Sequence, residues 1–172
     1  LAELAELGLA NPDHRRAELM LRIRDTEVEA KRLGHVGLFF TVTAPSRFHP
    51  VLASSSQRNP KYDGSTPREA QQYLQKLWAQ ARSSLARDGL AIYGIRVVEP
   101  HHDGTPHWHL LVWAQPDHVE AVTETLRSYA EAESPEELFD RFGQRTTARF
   151  KVETIDPKRG TAAGYIAKYI SK

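Results

Sequence analysis

Short runs of apolar and alternating residues predict four β-strands along the chain. These runs are rich in β-branched and aromatic residues, and proline, glycine or polar clusters bound them. The predicted strands are GLFFTVT (37–43), LAIYGIRVV (90–98), HWHLLVW (107–113) and ARFKVETID (148–156). The second and third are joined by EPHHDGTP, whose prolines and Asp-Gly pair predict a hairpin-like connection rather than a crossover.

Apolar residues at helical spacing lie between and around these strands. Thr66, Pro67 and Glu69 have the pattern of a capping box, so a helix is predicted to begin there and to stop at Asp88-Gly89. A second helix is predicted from Pro116 to about residue 130, with a short helix near 134–143. The last is predicted to begin near Gly160.

The N-terminal part of the chain has helical character. LAELAELGLA is followed by a break at Asn11-Pro12, after which Asp13 is predicted to cap a helix that ends before Gly34. Residues 1–33 are therefore interpreted as an N-terminal helical segment, either packed on the domain or leading from an upstream one. Residues 34–172 are interpreted as one domain. The missing initial Met and the final KYISK, which stops within a helical pattern, indicate a fragment of a longer protein.

The predicted order β-α-β-β-α-β-α indicates an α+β fold. Four strands with covering helices match an antiparallel sheet of the ferredoxin-like, split βαβ type. A fold of this type serves many functions, so the function has to be argued from the site.

Composition narrows the chemistry of any site. The chain of 172 residues has no cysteine, which excludes disulfides and thiolate metal sites. No run approaches eighteen apolar residues, so no transmembrane helix is predicted. A formal net charge of +1 is too small to argue for a nucleic-acid partner from bulk charge alone.

Two histidines in the third predicted strand are candidate metal ligands. Residues two apart in a strand share a face, so His107 and His109 point the same way, and Trp108 is predicted to pack on the opposite face of the strand. Glu99 ends the preceding strand, and pairing of the two strands is predicted to place it beside His107. Two imidazoles and one carboxylate suit a catalytic divalent ion, Mg²⁺ or Mn²⁺, and Zn²⁺ would also bind.

Other interpretations of these residues stay open. In a chain with eight histidines, a His-x-His pair can be a coincidence, and Glu99 can be an ordinary surface carboxylate at a strand end. His101 and His102 in the turn are rival ligands, or loop residues near a substrate.

The last predicted helix supplies candidate nucleophiles. Tyr165 and Tyr169 are four residues apart, so their hydroxyls lie on one helix face, with Lys168 beside them and Lys172 one turn beyond. A phenol has a pKa near 10 and needs nearby positive charge to act as a nucleophile. An amphipathic helix whose tyrosines pack by their rings is the alternative.

The long segment 45–66 is a candidate DNA-binding loop. Loops of this length inside a compact domain are usually functional or disordered. Basic and aromatic side chains together suit single-stranded nucleic acid, although a solvated flexible loop has the same composition. The predicted DNA contacts are Arg47, Arg58, Lys61 and Tyr62, together with His101, His102 and Lys172.

Three motifs in order resemble the HUH endonuclease superfamily. HWH is similar to its His-hydrophobic-His signature, YIAKYISK to the two-tyrosine motif of rolling-circle replication initiators, and FFTVTAPSRFHP to its first motif. NPKYDGSTPREAQQYLQKLW and YGIRVVEPHHDGTPHWHLLVW further resemble the bacteriophage replication gene A protein family. The likeness spans about residues 37–172.

The resemblance implies a metal-dependent, site-specific single-stranded DNA endonuclease and strand transferase that initiates rolling-circle replication. It implies that Glu99, His107 and His109 hold the Mg²⁺ or Mn²⁺ cofactor. Tyr165 or Tyr169 would form a 5′-phosphotyrosine intermediate, and Lys168 would orient or neutralise the phosphate. The implied partners are an origin or hairpin in single-stranded DNA and host replication machinery such as a helicase. The implied location is the cytoplasm of a bacterial host.

Three alternative functions remain at this point. A plasmid relaxase is the nearest, although relaxases usually carry a third histidine ligand and place the tyrosine near the N-terminus. A non-catalytic nucleic-acid-binding domain on a ferredoxin-like sheet is the second. A zinc hydrolase that uses His101, His102, His107 and His109 is the third.

Overall fold

A computed structural model describes residues 11–156, 158 and 160–170, apart from the side chains of residues 12, 168 and 170. The helices are α1 (Pro12–Arg32), α2 (Pro67–Arg87), α3 (Val119–Ala130) and α4 (Ala162–Ile170). The strands are β1 (Val36–Thr43), β2 (Ile92–Pro100), β3 (Pro106–Ala114) and β4 (Phe150–Thr154). Short 3₁₀ turns lie at Ser46–Phe48, Pro116–His118 and Pro135–Leu138. None of the described helices is long and apolar enough to span a bilayer.

The four strands form one antiparallel sheet in the order β2-β3-β1-β4. This order confirms the predicted α+β class, an antiparallel sheet with flanking helices. β1 and β3 are the central strands, so residues on β3 are flanked by neighbours on both sides.

Both faces of the sheet are covered by helices. On one face, Phe40, Trp108 and Leu110 pack against α2 and α3 in the larger core cluster. On the other, Phe39, Leu111 and Trp113 pack with buried residues of α1 and α4. Successive side chains of a strand point to opposite faces, so His107 and His109 share the α1–α4 face and Trp108 is buried on the other.

Helix α1 is part of the packed structure. Its Ile23 and Ala30 are each 1% exposed and lie in the cluster with Leu111 and Trp113. The described part of the predicted N-terminal segment therefore packs on the domain, which is one of the two arrangements expected for it. The predicted helical run at residues 1–10 lies outside the described residues.

Two local predictions that involve polar side chains were wrong. Asn11 caps α1, because its side chain accepts the Asp13 N–H at 2.9 Å, so Asp13 is in the first turn and not the cap. The short helix predicted near 134–143 is only a four-residue 3₁₀ turn. Asp140 ends it locally, because its carboxylate accepts the N–H groups of Phe142 and Gln144 and so favours a turn.

The last strand is shorter than predicted, Phe150–Thr154 instead of 148–156. Ile155 N–H still donates to the carbonyl of Gly37 at 2.8 Å, but the regular ladder has ended by then.

Candidate active site

The two histidines of the HWH segment lie on the central strand β3, between β1 and β2. His107 is opposite Thr43 of β1 and Glu99 of β2, and His109 is opposite Thr41. This register confirms the predicted pairing of Glu99 with His107. The two imidazole rings are 4.7 Å apart between centroids.

Two threonines of β1 orient the histidine rings. Thr41 Oγ1 is 3.2 Å from His109 Nδ1, and Thr43 Oγ1 is 3.1 Å from His107 Nδ1. A hydrogen bond to Nδ1 favours the use of Nε2 for other contacts and fixes the ring orientation, as outer-shell partners do for metal-binding histidines. Sequence reasoning missed both threonines. The alternation Thr-Val-Thr at the end of β1, opposite His-Trp-His in an antiparallel pair, is the signal that identifies them.

The carboxylate of Glu99 reaches diagonally across the ladder to the second histidine. Its Oε2 lies 2.9 Å from Nε2 of His109, and both side chains are largely buried, at 14% and 3% exposure. Glu99 therefore contacts His109 directly, although its backbone partner is His107.

Burial keeps the first histidine neutral. Burial and the neighbouring imidazoles of His109 and His101 lower the pKa of His107 to about 3, against a smaller opposing effect of Glu99. Nε2 of His101 lies 3.0 Å from Nδ1 of His107. Burial also lowers the pKa of His101. Neutral imidazole is the form that binds a metal ion.

The donor chemistry of Glu99, His107 and His109 fits a divalent cation. Two imidazoles and one carboxylate meet on one rigid face of the sheet, and the first imidazole is neutral at physiological pH. In the described part of the chain, no three His, Asp or Glu side chains are already arranged around a common ion position. Glu99 is instead hydrogen-bonded to His109, so the carboxylate has to rotate for the three groups to share one ion.

The structure brings one of the two tyrosines onto the histidine pair. The ring of Tyr169 stacks on the ring of His109, with centroids 3.7 Å apart and planes tilted by 26°. Tyr169 also stacks with Phe39 at 5.4 Å, whereas Tyr165 meets Phe39 at 6.3 Å in a tilted arrangement. Both rings lie on the face that carries the histidines, and Tyr169 is in direct contact with His109.

Helix α4 reaches this position because its first turn is anchored to α1. Ala162, Ala163 and Ile166 are buried in the cluster with Phe39 and Leu111. Glu27 of α1, itself 6% exposed, accepts the Ala162 N–H at 3.1 Å and pairs with Lys31 at 3.0 Å. A carboxylate at a helix N-terminus is favourable with respect to the unsatisfied N–H groups and the helix dipole. Sequence reasoning missed Glu27, since the contact joins residues 135 positions apart.

The remaining predicted site residues are spread around the site. Lys168 is part of helix α4, but its side chain is outside the description, as is Lys172 entirely. His101 contacts His107, and His102 is exposed in the β2–β3 turn.

The basic residues of the long loop mostly have protein partners. Arg47 pairs with Asp63 and Glu133, and its guanidinium lies over the ring of Phe48. Lys61 pairs with Glu137 at 3.1 Å. The Tyr62 hydroxyl donates to a backbone carbonyl, and Arg58 is exposed. Arg47 thus has a structural role in holding the loop, and Arg58 is exposed.

The depressed pKa of His107 predicts a pH-dependent stability in EDTA. Between about pH 3 and 6.5 the unfolded chain binds a proton at His107 that the folded chain does not. The free energy of unfolding is therefore unaffected by the titration of His107 above about pH 6.5, and it decreases as the pH falls from about 6.5 towards 3. The contribution is up to about 1.4 kcal/mol per pH unit. Urea unfolding at several pH values should therefore give a shallower acid loss for His107→Gln than for the unsubstituted protein. His14→Gln, at an exposed position, is the matched control, and parallel curves for all three proteins would show that His107 does not cause the acid loss.

Glu27→Ala is expected to loosen helix α4. The substitution leaves the Ala162 N–H without its carboxylate acceptor in a buried place, so the free energy of unfolding should fall by about 1–2 kcal/mol. Hydrogen exchange of residues 162–170 should also accelerate. Glu29→Ala removes an exposed pair with Arg32 on the same helix and should leave α4 unaffected. Equal protection of α4 in both variants would show that Glu27 does not anchor it.

The chain belongs to the bacteriophage replication gene A protein family, whose family model matches residues 1–172. It is 49% identical over 172 residues to the replication gene A protein of Escherichia phage 186. It is 45% identical to the probable replication protein P12 of Pseudoalteromonas phage PM2, and 44% identical to a probable replication endonuclease from a prophage-like region of Salmonella typhimurium. All of this chain is covered in each case, and it spans 24%, 25% and 21% of those relatives respectively.

Proposed function

We propose that this domain cuts and rejoins single-stranded DNA by transferring a phosphodiester to tyrosine, at the initiation of rolling-circle replication. The observation that carries the proposal is the stacking of Tyr169 on His109, at 3.7 Å between centroids, beside the Glu99 carboxylate. A candidate nucleophile and a candidate set of metal ligands thus share one face, although they are more than fifty residues apart in sequence. Relatives that are named probable replication endonucleases support the same class of activity.

Glu99, His107 and His109 would hold a Mg²⁺ or Mn²⁺ ion. Bound there, such an ion would supply Lewis-acid polarisation of the scissile phosphate. The protein contributes the orientation of the imidazoles through Thr41 and Thr43, and the burial that keeps His107 neutral.

The tyrosines would carry the covalent step. The phenolate oxygen of Tyr169 or Tyr165 attacks phosphorus, the bond from phosphorus to the 3′ oxygen breaks, and that oxygen leaves as a 3′-hydroxyl after taking a proton. The product is a 5′-phosphotyrosine, so one phosphodiester is exchanged for another and the step is reversible. The other tyrosine would accept a second strand in the same way. Lys168, between the two in the sequence, would neutralise the phosphate.

The covered sheet favours this enzyme over a non-catalytic sheet-based binding module. A ferredoxin-like RNA- or DNA-binding domain presents aromatic residues on an open sheet face. Here helices cover both faces, and the aromatic Phe39 is 4% exposed beneath α4. The proposed partners are single-stranded origin DNA and a host helicase, in the cytoplasm of a bacterial host.

Labelled single-stranded DNA with Mn²⁺, resolved on denaturing gels, tests the proposal. A labelled band that migrates with the protein, resists denaturation and is prevented by EDTA is expected. Cleavage without any protein–DNA adduct would instead indicate hydrolysis by water, and the tyrosine mechanism would then be wrong.

A further inference from the structure

A cavity of about 640 Å³ opens directly beside the histidine pair. One wall is the loop after β1, which includes His49, Leu52 and Ala53, and the opposite wall includes Phe139 and Arg149. His107 and Thr43 also line it, so the cavity is continuous with the candidate active site.

Two carboxylates that line the cavity already have hydrogen-bond partners. Asp103, with a side chain that is 2% exposed, accepts a hydrogen bond from Nδ1 of His49 at 3.0 Å. Glu137 accepts the Ser46 N–H at 3.0 Å and pairs with Lys61 at 3.1 Å. A phosphate placed there would meet the carboxylates of Asp103 and Glu137, and the ammonium group of Lys61 is already paired with Glu137. A neutral guest avoids that repulsion, which favours a base over a phosphate.

The rest of the wall suits a flat, largely apolar guest. Leu52, Ala53 and Phe139 contribute apolar surface, and the Phe139 side chain is 49% exposed. His49 additionally keeps its Nε2 buried, with no hydrogen-bond partner among the described residues. Pockets that combine apolar walls with a few polar atoms are the usual form of small-ligand sites, and aromatic rings are the usual stacking partners of unpaired bases. One exposed carboxylate, Glu136, lies at the rim.

We infer that this cavity receives one unpaired base of the single strand that runs past His107 and His109, with Phe139 as the stacking partner. The inference rests on the proposed function, because it takes single-stranded DNA as the substrate. It adds a base-recognition position formed largely by the loops 44–61, 101–103 and 136–149, at the end of the sheet where Thr43 and His107 also line the cavity. The strand beside the cut would thereby be held by a base as well as by its phosphate.

Three variants test the assignment in the full-length protein. Phe139→Ala removes the stacking ring, and Ala53→Trp narrows the cavity from an exposed lining position. Phe142→Ala is the matched control, since Phe142 is 72% exposed on the same loop but does not line the cavity. Binding is measured by fluorescence anisotropy in EDTA, with an oligonucleotide selected by binding from a random single-stranded pool. This measurement needs no cleavage, so it is independent of whether the tyrosine mechanism is correct.

Abasic substitutions at each successive position of that oligonucleotide locate the base. At one position, loss of the base should weaken binding to the unsubstituted protein by about tenfold or more. Phe139→Ala and Ala53→Trp should weaken binding of the intact oligonucleotide similarly, and neither should lose further affinity for the abasic form. Phe142→Ala should behave as the unsubstituted protein does.

Several outcomes would overturn the assignment. One is that the abasic position and Phe139→Ala reduce the binding affinity additively. Another is that Phe142→Ala reduces the affinity as much as Phe139→Ala does. A third is that no position of the oligonucleotide is sensitive to loss of its base. If the cavity variants lose affinity for the oligonucleotide by an amount that varies with salt concentration but not with the presence of a base, a phosphate binds in the cavity instead of a base. If no protein–DNA adduct forms but one position is sensitive to loss of its base, the proposed tyrosine chemistry is wrong and the assignment of the cavity as a base-binding site is retained.

Discussion

Replacing Tyr165 and Tyr169 together by phenylalanine is expected to abolish the covalent protein–DNA adduct. Both rings pack near Phe39, and phenylalanine keeps that packing while removing only the hydroxyls. Loss of a catalytic nucleophile typically costs several orders of magnitude, so the adduct should fall by at least about a thousandfold on denaturing gels. Binding of single-stranded DNA in EDTA should change little, which separates the chemical step from binding.

The two single substitutions are expected to differ. Tyr169 contacts His109 directly, whereas Tyr165 contacts Phe39 at the edge of the site, so Tyr169→Phe should reduce the first cleavage more. Tyr129→Phe, on the helix that covers the other face of the sheet, is the control for a tyrosine substitution in the packed structure. An undiminished adduct in the double variant would exclude these tyrosines as nucleophiles.

Glu99→Gln is expected to remove most of the affinity for Mn²⁺ and with it the adduct. Glutamine keeps the size of the side chain but removes the negative charge that a divalent ion requires. Loss of outer-shell partners alone lowers metal affinity about 10–100-fold, so the loss of Glu99, which we propose as a direct ligand, should exceed about a hundredfold. Isothermal titration calorimetry with Mn²⁺ measures the affinity, and the gel assay measures the adduct.

His109→Ala should lose Mn²⁺ affinity to the same extent, since His109 is hydrogen-bonded to Glu99 and its ring lies next to that of His107. His14→Ala provides a histidine control on the exposed side of α1. Unchanged Mn²⁺ affinity in both Glu99→Gln and His109→Ala would mean that the ion binds elsewhere, and the ligand assignment would have to be abandoned.

Much of the fold could be predicted because the local signals agree with the tertiary structure. The capping box at Thr66 and Glu69 is present as predicted, and the four apolar runs became the four strands. The errors occur where a short polar side chain decides the backbone locally. Asn11 and Asp140 each accept nearby N–H groups, and hydrophobic spacing carries no information about that competition.

Only the part of the candidate site that lies on paired strands could be predicted from the sequence. Strand alternation and the hairpin place His107, His109 and Glu99 together, because pairing follows from the pattern of the two strands. The positions of Thr41 and Glu27 depend on which strand and which helix become neighbours in space. That information is not local: the Thr-Val-Thr alternation identifies Thr41 only once β1 is known to pair with β3, and no motif in the sequence marks Glu27.

In the proposed mechanism, a tyrosine of helix α4 becomes covalently linked to DNA. The most direct test of this linkage is mass spectrometry of the adduct after nuclease and trypsin digestion. Trypsin cleavage after Lys168 separates Tyr165 from Tyr169, so each tyrosine falls on its own peptide. We expect a nucleotide joined through a 5′ phosphate to the peptide that begins at Tyr169, to the one that contains Tyr165, or to both. A nucleotide attached to any other residue, or DNA cleaved with a free 5′ phosphate and no modified peptide, would contradict the proposed mechanism.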